Sequence, residues 1–374
     1  MPKSDQETRD RRLARPRGAL FCCGLATLLI AGCGHAIPIH AMVEGEGTAK
    51  VAADATIRGS VEVKLPGALD PGPMTATVVR PGARPDSARV AIIDIDGVLL
   101  NQNYGGLVAV GDNPLASLHD KLEAAACDPR VAAVLLRVNS PGGSVTACDV
   151  MAQEVRRFRA KSHKPVVAAL LDLAASGALL IACESDSIMA HPTTLTGGLG
   201  VVFNHYNLQD AMAQLNLVAD PVKSGPRIDM GTVTTPLDDA TRALLQSMAD
   251  AYRDHLHRRV HERRPAMSPS DFQTLADGRV VLAAQAIKLH LIDGVGYMDD
   301  AIDLAARLAG QSGAEVVMHH RSGYPTSSIY SITPSPTQPA DALPFSYPGL
   351  DRAKLPTFLY LWQPDPTLPR LGAR

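Results

Sequence analysis

The chain is organised around one short stretch, Leu171-Asp-Leu-Ala-Ala-Ser-Gly-Ala-Leu-Leu-Ile181. Small apolar residues flank Ser176, so little side-chain bulk would block the approach of another molecule to its hydroxyl. The run after the serine predicts a helix that begins here, and unpaired amides at a helix N-terminus favour negative charge. A serine at this position can equally be a simple N-cap between two packed elements. This stretch alone leaves both interpretations open.

A second stretch, Val131-Ala-Ala-Val-Leu-Leu-Arg-Val138, is a nearly continuous apolar run typical of a buried parallel strand. Asn139-Ser-Pro-Gly-Gly-Ser-Val145 follows, and its Pro-Gly-Gly is expected to end the strand and to let the backbone approach whatever lies in front. A helix is predicted from about 144 to 159. Two strand–turn–helix units thus follow one another, one offering backbone amides and the other a serine, which is what an oxyanion hole requires.

Three motifs occur in a characteristic order: Asn139–Val145, then Ala174-Ala-Ser-Gly-Ala178, then Thr196-Gly-Gly-Leu-Gly-Val201. In this order they resemble the S49 family of serine peptidases, the signal peptide peptidase A proteins and their sohB-like relatives, over roughly 89–302. The resemblance implies an α/β fold of the ClpP/crotonase-like type, with a mostly parallel sheet and flanking helices. It also implies a peptide or protein substrate, a Ser–Lys dyad and a homo-oligomer.

The resemblance also assigns roles within these motifs. Ser176 would be the nucleophile, and the amides of Gly177 and of Gly142 or Gly143 would form the oxyanion hole. A serine hydroxyl needs a neighbouring base before it becomes a good nucleophile. In the family that base is a lysine.

The base is where this sequence departs from the family pattern. In Lys223-Ser-Gly-Pro-Arg-Ile-Asp229 the position that matches the family's lysine is Ile228, and the neighbouring arginine stays protonated. A supporting serine of the family is replaced by Gly198. Lys223 is the nearest candidate base, although a solvated or structural lysine is the more ordinary interpretation. His205 and His191 are weaker candidates, and a neighbouring chain could also supply the group.

Three functions remain open at this point. The first is a membrane-anchored serine endopeptidase that cleaves apolar peptides, such as signal-peptide remnants, with Ser176 and a different base. The second is a lipid-anchored pseudopeptidase that binds peptides or partner proteins without cleavage. In the third, the fold is a scaffold for a membrane assembly and the site is vestigial.

The N-terminal segment, residues 1–33, has the pattern of an export signal. Five arginines precede a 13-residue apolar run, Ala19–Ala31, which is too short to span a bilayer. Leu29-Ile-Ala-Gly-Cys33 then matches a lipobox, which predicts lipidation of Cys33 and an exported protein anchored to a bacterial membrane, inner or outer. An ordinary signal peptide or a signal anchor is the alternative.

The rest of the chain divides into three parts: a tether or small β-rich segment at 34–87, the peptidase-like domain at 88–312, and a Pro-rich tail at 313–374. Within the tail, Thr357-Phe-Leu-Tyr-Leu-Trp362 could lie on the domain, on a neighbouring protomer or on a membrane surface. Packing on the domain is the preferred expectation.

The composition narrows the function further. The 374 residues, 46% of them hydrophobic, suffice for one substantial core, and the net charge of −2 gives no reason to expect nucleic acid. Cys127, Cys148 and Cys183 are predicted to be buried free thiols. No Cys/His spacing suggests a metal, and no cofactor is expected.

Overall fold

The computed structural model describes residues 74–101, 113–321 and 358–362. The strands of this part are β1 (Met74–Arg80), β2 (Arg89–Leu99), β3 (Val131–Ser144), β4 (Val166–Ala175), β5 (Ser187–Ala190), β6 (Leu195–Gly197), β7 (Val202–Phe203), β8 (Val280–Leu282), β9 (Gly294–Val295), β10 (Glu315–Arg321) and β11 (Phe358–Leu361). Its helices are α1 (Pro114–Cys127), α2 (Val145–Ser162), α3 (Gly177–Cys183), α4 (Gln209–Gln214), α5 (Asp239–Arg263), α6 (Pro269–Leu275), α7 (Ala283–Ala286) and α8 (Met298–Leu308).

The strands form one sheet whose main path runs β1-β10-β2-β3-β4-β5-β9. Along this path, every neighbouring pair in β10-β2-β3-β4-β5-β9 is parallel, whereas β1 is antiparallel to β10. Off this path, β6 pairs with β4 and β8, and β11 pairs with β3 and β7. The predicted α/β class with a mostly parallel sheet and flanking helices is therefore confirmed.

Apolar side chains cover both faces of the sheet. On one face Leu136 and its neighbours pack in a cluster that includes Leu118 of α1, Val155 of α2 and Leu179 of α3. On the other face Leu135 belongs to a separate cluster that includes residues of α8. Successive residues of a strand point to opposite faces, so a strand buried on both faces needs the continuous apolar run that β3 carries.

The sequence predicts Asn113 as the N-cap of a helix at 113–127, with Pro114 at its first position, and Thr235 as the N-cap of a helix at 236–264. Asn113 caps α1 as expected, with Oδ1 accepting the Leu115 amide at 3.0 Å. The long helix begins later than predicted: Asp238, not Thr235, is the N-cap of α5, and its Oδ1 accepts the Thr241 amide at 2.7 Å. A carboxylate both accepts the amide and suits the positive end of the helix dipole, which explains the choice.

The Pro-Gly-Gly turn does not end its strand, contrary to prediction. β3 continues to Ser144, and its two glycines pair with Val98 and Leu99 of β2. A side chain on Gly143 would collide with the Leu99 carbonyl, so glycine is what permits this close approach. The glycines therefore extend the sheet instead of breaking it.

The structure also tests the predictions for the tail element at 357–362 and for the three cysteines. β11 packs on the domain, which was the preferred expectation. Cys148 and Cys183 are buried free thiols as predicted, and burial raises the pKa of Cys183 to about 12. Cys127 is free but exposed, because it ends α1 on the solvent side.

Several predictions lie on residues outside the described part. These are the signal segment 1–33 with Cys33, most of 34–87, and most of 313–374. Within the described part, no helix is long and apolar enough to cross a membrane. The same residues contain no group of three or more His, Cys, Asp or Glu side chains that could hold a metal ion.

Candidate active site

Ser176 occupies a sharp strand-to-helix turn. It lies between Ala175, the last residue of β4, and Gly177, the first residue of α3, with φ 52° and ψ −113°. A positive φ is uncommon for a residue with a side chain, and such strain is often found at functional sites. The turn is fixed on both sides, since the Ser176 amide donates to Gly197 O at 2.9 Å and its carbonyl accepts from Leu180 N at 3.0 Å. A serine on a strained turn of this kind is the arrangement of a nucleophile elbow.

The hydroxyl of Ser176 does not cap the helix that follows. Its Oγ donates instead to the carbonyl of Gly200 at 3.1 Å, and α3 receives no side-chain cap from it. The N-cap interpretation is therefore wrong for this side chain. The serine is also fully buried, with 0% of its surface exposed.

The glycine turn of β3 lies directly beside this serine. Ser140 of β3 pairs with Ala174 of β4, so the two parallel strands bring their carboxyl ends to the same edge. A methyl group on Gly142, whose φ is +104°, would collide with the Tyr360 carbonyl oxygen and lie 3.0 Å from the Gly177 amide nitrogen. The structure thus brings together the two motifs that the sequence analysis linked.

The two candidate oxyanion amides of β3 differ in availability. The Gly142 amide donates to Ser140 Oγ at 3.0 Å, so it already has an acceptor. Gly143, the next residue, pairs with Tyr360 of β11. The Gly177 amide is the first of α3, where amides have no intrahelical acceptor.

Strand β11 covers the serine turn. A methyl group on Gly177 would lie 3.2 Å from Tyr360 Cβ, and one on Gly198 would lie 3.1 Å from Trp362 Cβ. Residues on both sides of Ser176 therefore contact β11 or the residue after it, which accounts for the complete burial of the hydroxyl. The sequence predicts that this element packs on the domain, but it does not predict this position. Its alternating aromatic residues inside a Pro-rich tail were the available signal.

The comparison with known proteins finds a family that part of this geometry resembles. Residues 158–312, which include Ser176, match the model described as Peptidase family S49. This part of the chain is similar to a peptidase family S49 domain. Protease 4 of Salmonella typhi is 31% identical over 221 residues, which cover 59% of this chain and 34% of that protein. The putative signal peptide peptidase SppA of Enterococcus faecium is 28% identical over 216 residues, covering 58% and 62% of the two chains.

A third relative is similar over a shorter stretch. A putative protease of Methanocaldococcus jannaschii is 33% identical over 191 residues, which cover 51% of this chain and 60% of that protein. The chain spans from about a third to about three fifths of the length of these relatives.

Within 74–101, 113–321 and 358–362, no lysine forms a hydrogen bond with the Ser176 hydroxyl. Lys223 lies in the segment 204–236, which we call the arm, and its Nζ donates to Asp229 Oδ2 at 2.6 Å. That hydrogen bond lowers the pKa of Asp229 below its ordinary value. Ile228 is 72% exposed on the same arm. Among the described residues, no ionisable side chain hydrogen-bonds Ser176 Oγ.

The two histidine candidates are also engaged elsewhere. His205 Nε2 donates to Thr232 O at 2.9 Å. His191 Nδ1 lies 2.8 Å from Thr193 Oγ1, and its residue lines a cavity of about 180 Å³ that contains no residue of the Ser176 turn.

A histidine that was not predicted, His257, bonds to the backbone next to the carbonyl that accepts from Ser176. His257 Nε2 donates to Leu199 O at 2.8 Å, one residue before the carbonyl that accepts from Ser176. Its place on α5 beside the buried Leu256 was the available signal.

Proposed function

We propose that this chain is an S49-type serine endopeptidase that acts on extended apolar peptides, such as remnants of signal peptides, with Ser176 as the nucleophile. The observation that carries the proposal is the strained turn of Ser176 beside the glycine turn of β3. The names of the relatives, proteases and a putative signal peptide peptidase, point the same way. Lipidation of Cys33 would hold the enzyme on a bacterial membrane.

In this proposal the backbone supplies the electrostatic part of catalysis. Ser176 Oγ attacks the carbonyl carbon of the peptide, and the amides of Gly177 and Gly143 stabilise the oxyanion that forms. Such donors are fixed before the reaction, so they cost little reorganisation, and one of them typically contributes about 3 kcal/mol. The small residues around Ser176 leave room for the peptide carbonyl.

The remaining requirement is a group that takes the proton of Ser176. Lys223 is our candidate, and to serve it must leave Asp229 and approach the serine of its own chain or of a neighbour. The arm exposes several large apolar side chains, including Leu217, Val218 and Val222. A homo-oligomer would bury these side chains and could bring the arm of one protomer to the Ser176 turn of the next.

A second function is favoured by one specific observation. The resemblance implies that Ile228 takes the place of the family's lysine. Ser176 Oγ has a carbonyl, not a base, as its hydrogen-bond partner in the described residues. Together these points support a pseudopeptidase that binds extended peptides or partner proteins on the membrane and leaves them intact.

A serine-reactive fluorophosphonate probe tests the peptidase proposal on the full-length, detergent-solubilised chain, with labelling followed to completion. We expect the wild type to be labelled and Ser176→Ala to lose at least about 99% of the rate, since an activated nucleophile is what the probe requires. The matched control is Ser185→Ala, which removes another buried serine just beyond α3. It should be labelled like the wild type.

Two results would count against the proposal. Equal labelling of Ser176→Ala would show that Ser176 is not the nucleophile. Absence of labelling in every variant, together with unchanged binding of an apolar peptide by Ser176→Ala, would establish the pseudopeptidase in its place.

A further inference from the structure

We propose that Phe358–Trp362, which we call the strap, is a peptide ligand of the candidate site bound in cis. The site's ligand is then an extended peptide that places a tyrosine in a buried pocket beside Ser176, and the strap must leave before any other peptide can enter. This inference rests on the proposed function only in treating the site as one that binds peptides.

The backbone of the strap is held as an added strand. It pairs antiparallel with Gly142, Gly143 and Ser144 of β3 on one edge, and with the two residues of β7 on the other. Trp362 N also donates to Pro141 O at 3.0 Å. Pairing of an extended peptide with an exposed strand edge is a general mode of peptide recognition, in which main-chain bonds give affinity and pockets give specificity.

The carbonyl of Tyr360 points to the amides that would stabilise an oxyanion. Hydrogen-bonded pairs alternate along an antiparallel ladder, and Trp362 bonds to Pro141, so the Tyr360–Gly143 pair is a hydrogen-bonded one as well. The Gly143 amide is therefore directed at the Tyr360 carbonyl. A narrow space lies beside Gly142. Both the Tyr360 carbonyl oxygen and the Gly177 amide nitrogen line this space. A substrate carbonyl would need the same position.

The side chain of Tyr360 fills a defined pocket. It is fully buried, lies against Gly177, and its hydroxyl donates to Tyr252 O of α5 at 2.8 Å. Burial raises the pKa of this hydroxyl, which keeps it a neutral donor. Phe358, two residues earlier, packs its ring on Phe203 and Tyr252 at centroid distances of 5.0 and 5.2 Å. Alternate residues of a strand share a face, so the pattern aromatic–x–Tyr is what these pockets select.

Occupation by the strap closes the site. Each strand edge offers one set of main-chain donors and acceptors, so a second peptide cannot pair with Gly142–Ser144 while the strap does. Ser176 is fully buried in this arrangement. Access of the hydroxyl to another molecule therefore depends on release of the strap.

Trp362 allows a direct test, because it is the single tryptophan of the chain and belongs to the strap. We expect Tyr360→Gly, in the full-length protein, to red-shift the Trp362 emission and to increase its quenching by acrylamide severalfold. The control Tyr347→Gly changes a tyrosine of the same tail that lies outside the described residues, and it should behave like the wild type. Labelling of Ser176 by the fluorophosphonate probe should rise at least about tenfold in Tyr360→Gly, since the open fraction of the site sets the observed rate.

A peptide competition keeps the test informative if that variant fails to fold. A synthetic Phe-Leu-Tyr-Leu-Phe peptide, which contains no tryptophan, should release the strap of the wild type and increase Trp362 quenching. A Phe-Leu-Gly-Leu-Phe peptide should not.

The outcomes separate this inference from the peptidase proposal. Unchanged quenching in Tyr360→Gly, or equal effects of the two peptides, would overturn the strap as a ligand. Release of the strap with an unchanged, measurable labelling rate would overturn its role in closing the site. Release of the strap without labelling of any variant would support the strap as a ligand and reject the peptidase function alone.

Discussion

The Ser176 turn and the arm are built in opposite ways. The turn lies between a buried strand and the wholly buried helix α3, and backbone hydrogen bonds hold it on both sides. The arm carries α4, which has no buried residue, and leaves Ile228 and Val222 in solvent. The core therefore fixes Ser176 and the neighbouring amides, whereas Lys223 lies on a segment that the core does not hold. In the proposed Ser–Lys site, the serine half would be preorganised and the lysine half would depend on a further contact.

The largest expected difference between these regions concerns two carboxylates. Glu184 follows α3, is fully buried, and forms ion pairs with Arg156, Arg259 and Arg263. Glu184→Ala should lower the free energy of unfolding by about 3–5 kcal/mol, because it removes the fully buried carboxylate that three partly exposed guanidinium groups share. The matched change in the arm is Asp229→Ala, which removes a partly exposed partner of Lys223 and should have no measurable effect on unfolding. Urea denaturation measures both, and similar losses would show that the arm is held as firmly as α3.

Acid should act on the sheet rather than on the arm. His319 of β10 is buried, its Nδ1 has no hydrogen-bond partner within the described structure, and burial lowers its pKa from 6.5 to about 4. Below pH 6.5 the unfolded state binds a proton that the folded state does not, so stability falls as the pH drops from 6.5 to 4. The loss should reach roughly 3 kcal/mol. His319→Gln should remove most of this slope in urea titrations, and an unchanged slope would assign the acid sensitivity to other groups.

The smallest expected change in stability comes from substituting one glycine in each region. Gly142 has a positive φ and no room for a methyl group, whereas Gly225 of the arm has open space around its Cα. Gly142→Ala should cost about 1–3 kcal/mol of strain and release the strap, detected by Trp362 fluorescence. Gly225→Ala should be neutral or stabilise by up to about 1 kcal/mol through the unfolded state. A docked strap in Gly142→Ala would contradict the close approach of Tyr360 to this glycine.

Local patterns were enough to predict the buried strand at 131–138, the helix that follows it and the meeting of Ser176 with the glycine turn. Each of these depends on a few neighbouring residues, such as the apolar run 131–138 and the Asn113 cap. The start of α5 at Asp238 was missed because several polar residues compete for one capping position.

The cover of Ser176 could not be predicted from local patterns. The strap pairs with residues more than two hundred positions earlier in the chain, and nothing in Thr357–Trp362 specifies that edge. The continuation of β3 through Pro-Gly-Gly has the same origin. Those glycines would end an isolated strand, but β2 on one side and the strap on the other give them partners.

The pairing of β1 with β10 has a mechanical consequence. Met74 lies opposite Arg321, so these two residues are adjacent at one edge of the sheet. A force that pulls Met74 and Arg321 apart would load the antiparallel β1–β10 pair. Strands β2 and β3 stand between that pair and β4, at whose end Ser176 lies, so the load would not pass through the residues around Ser176.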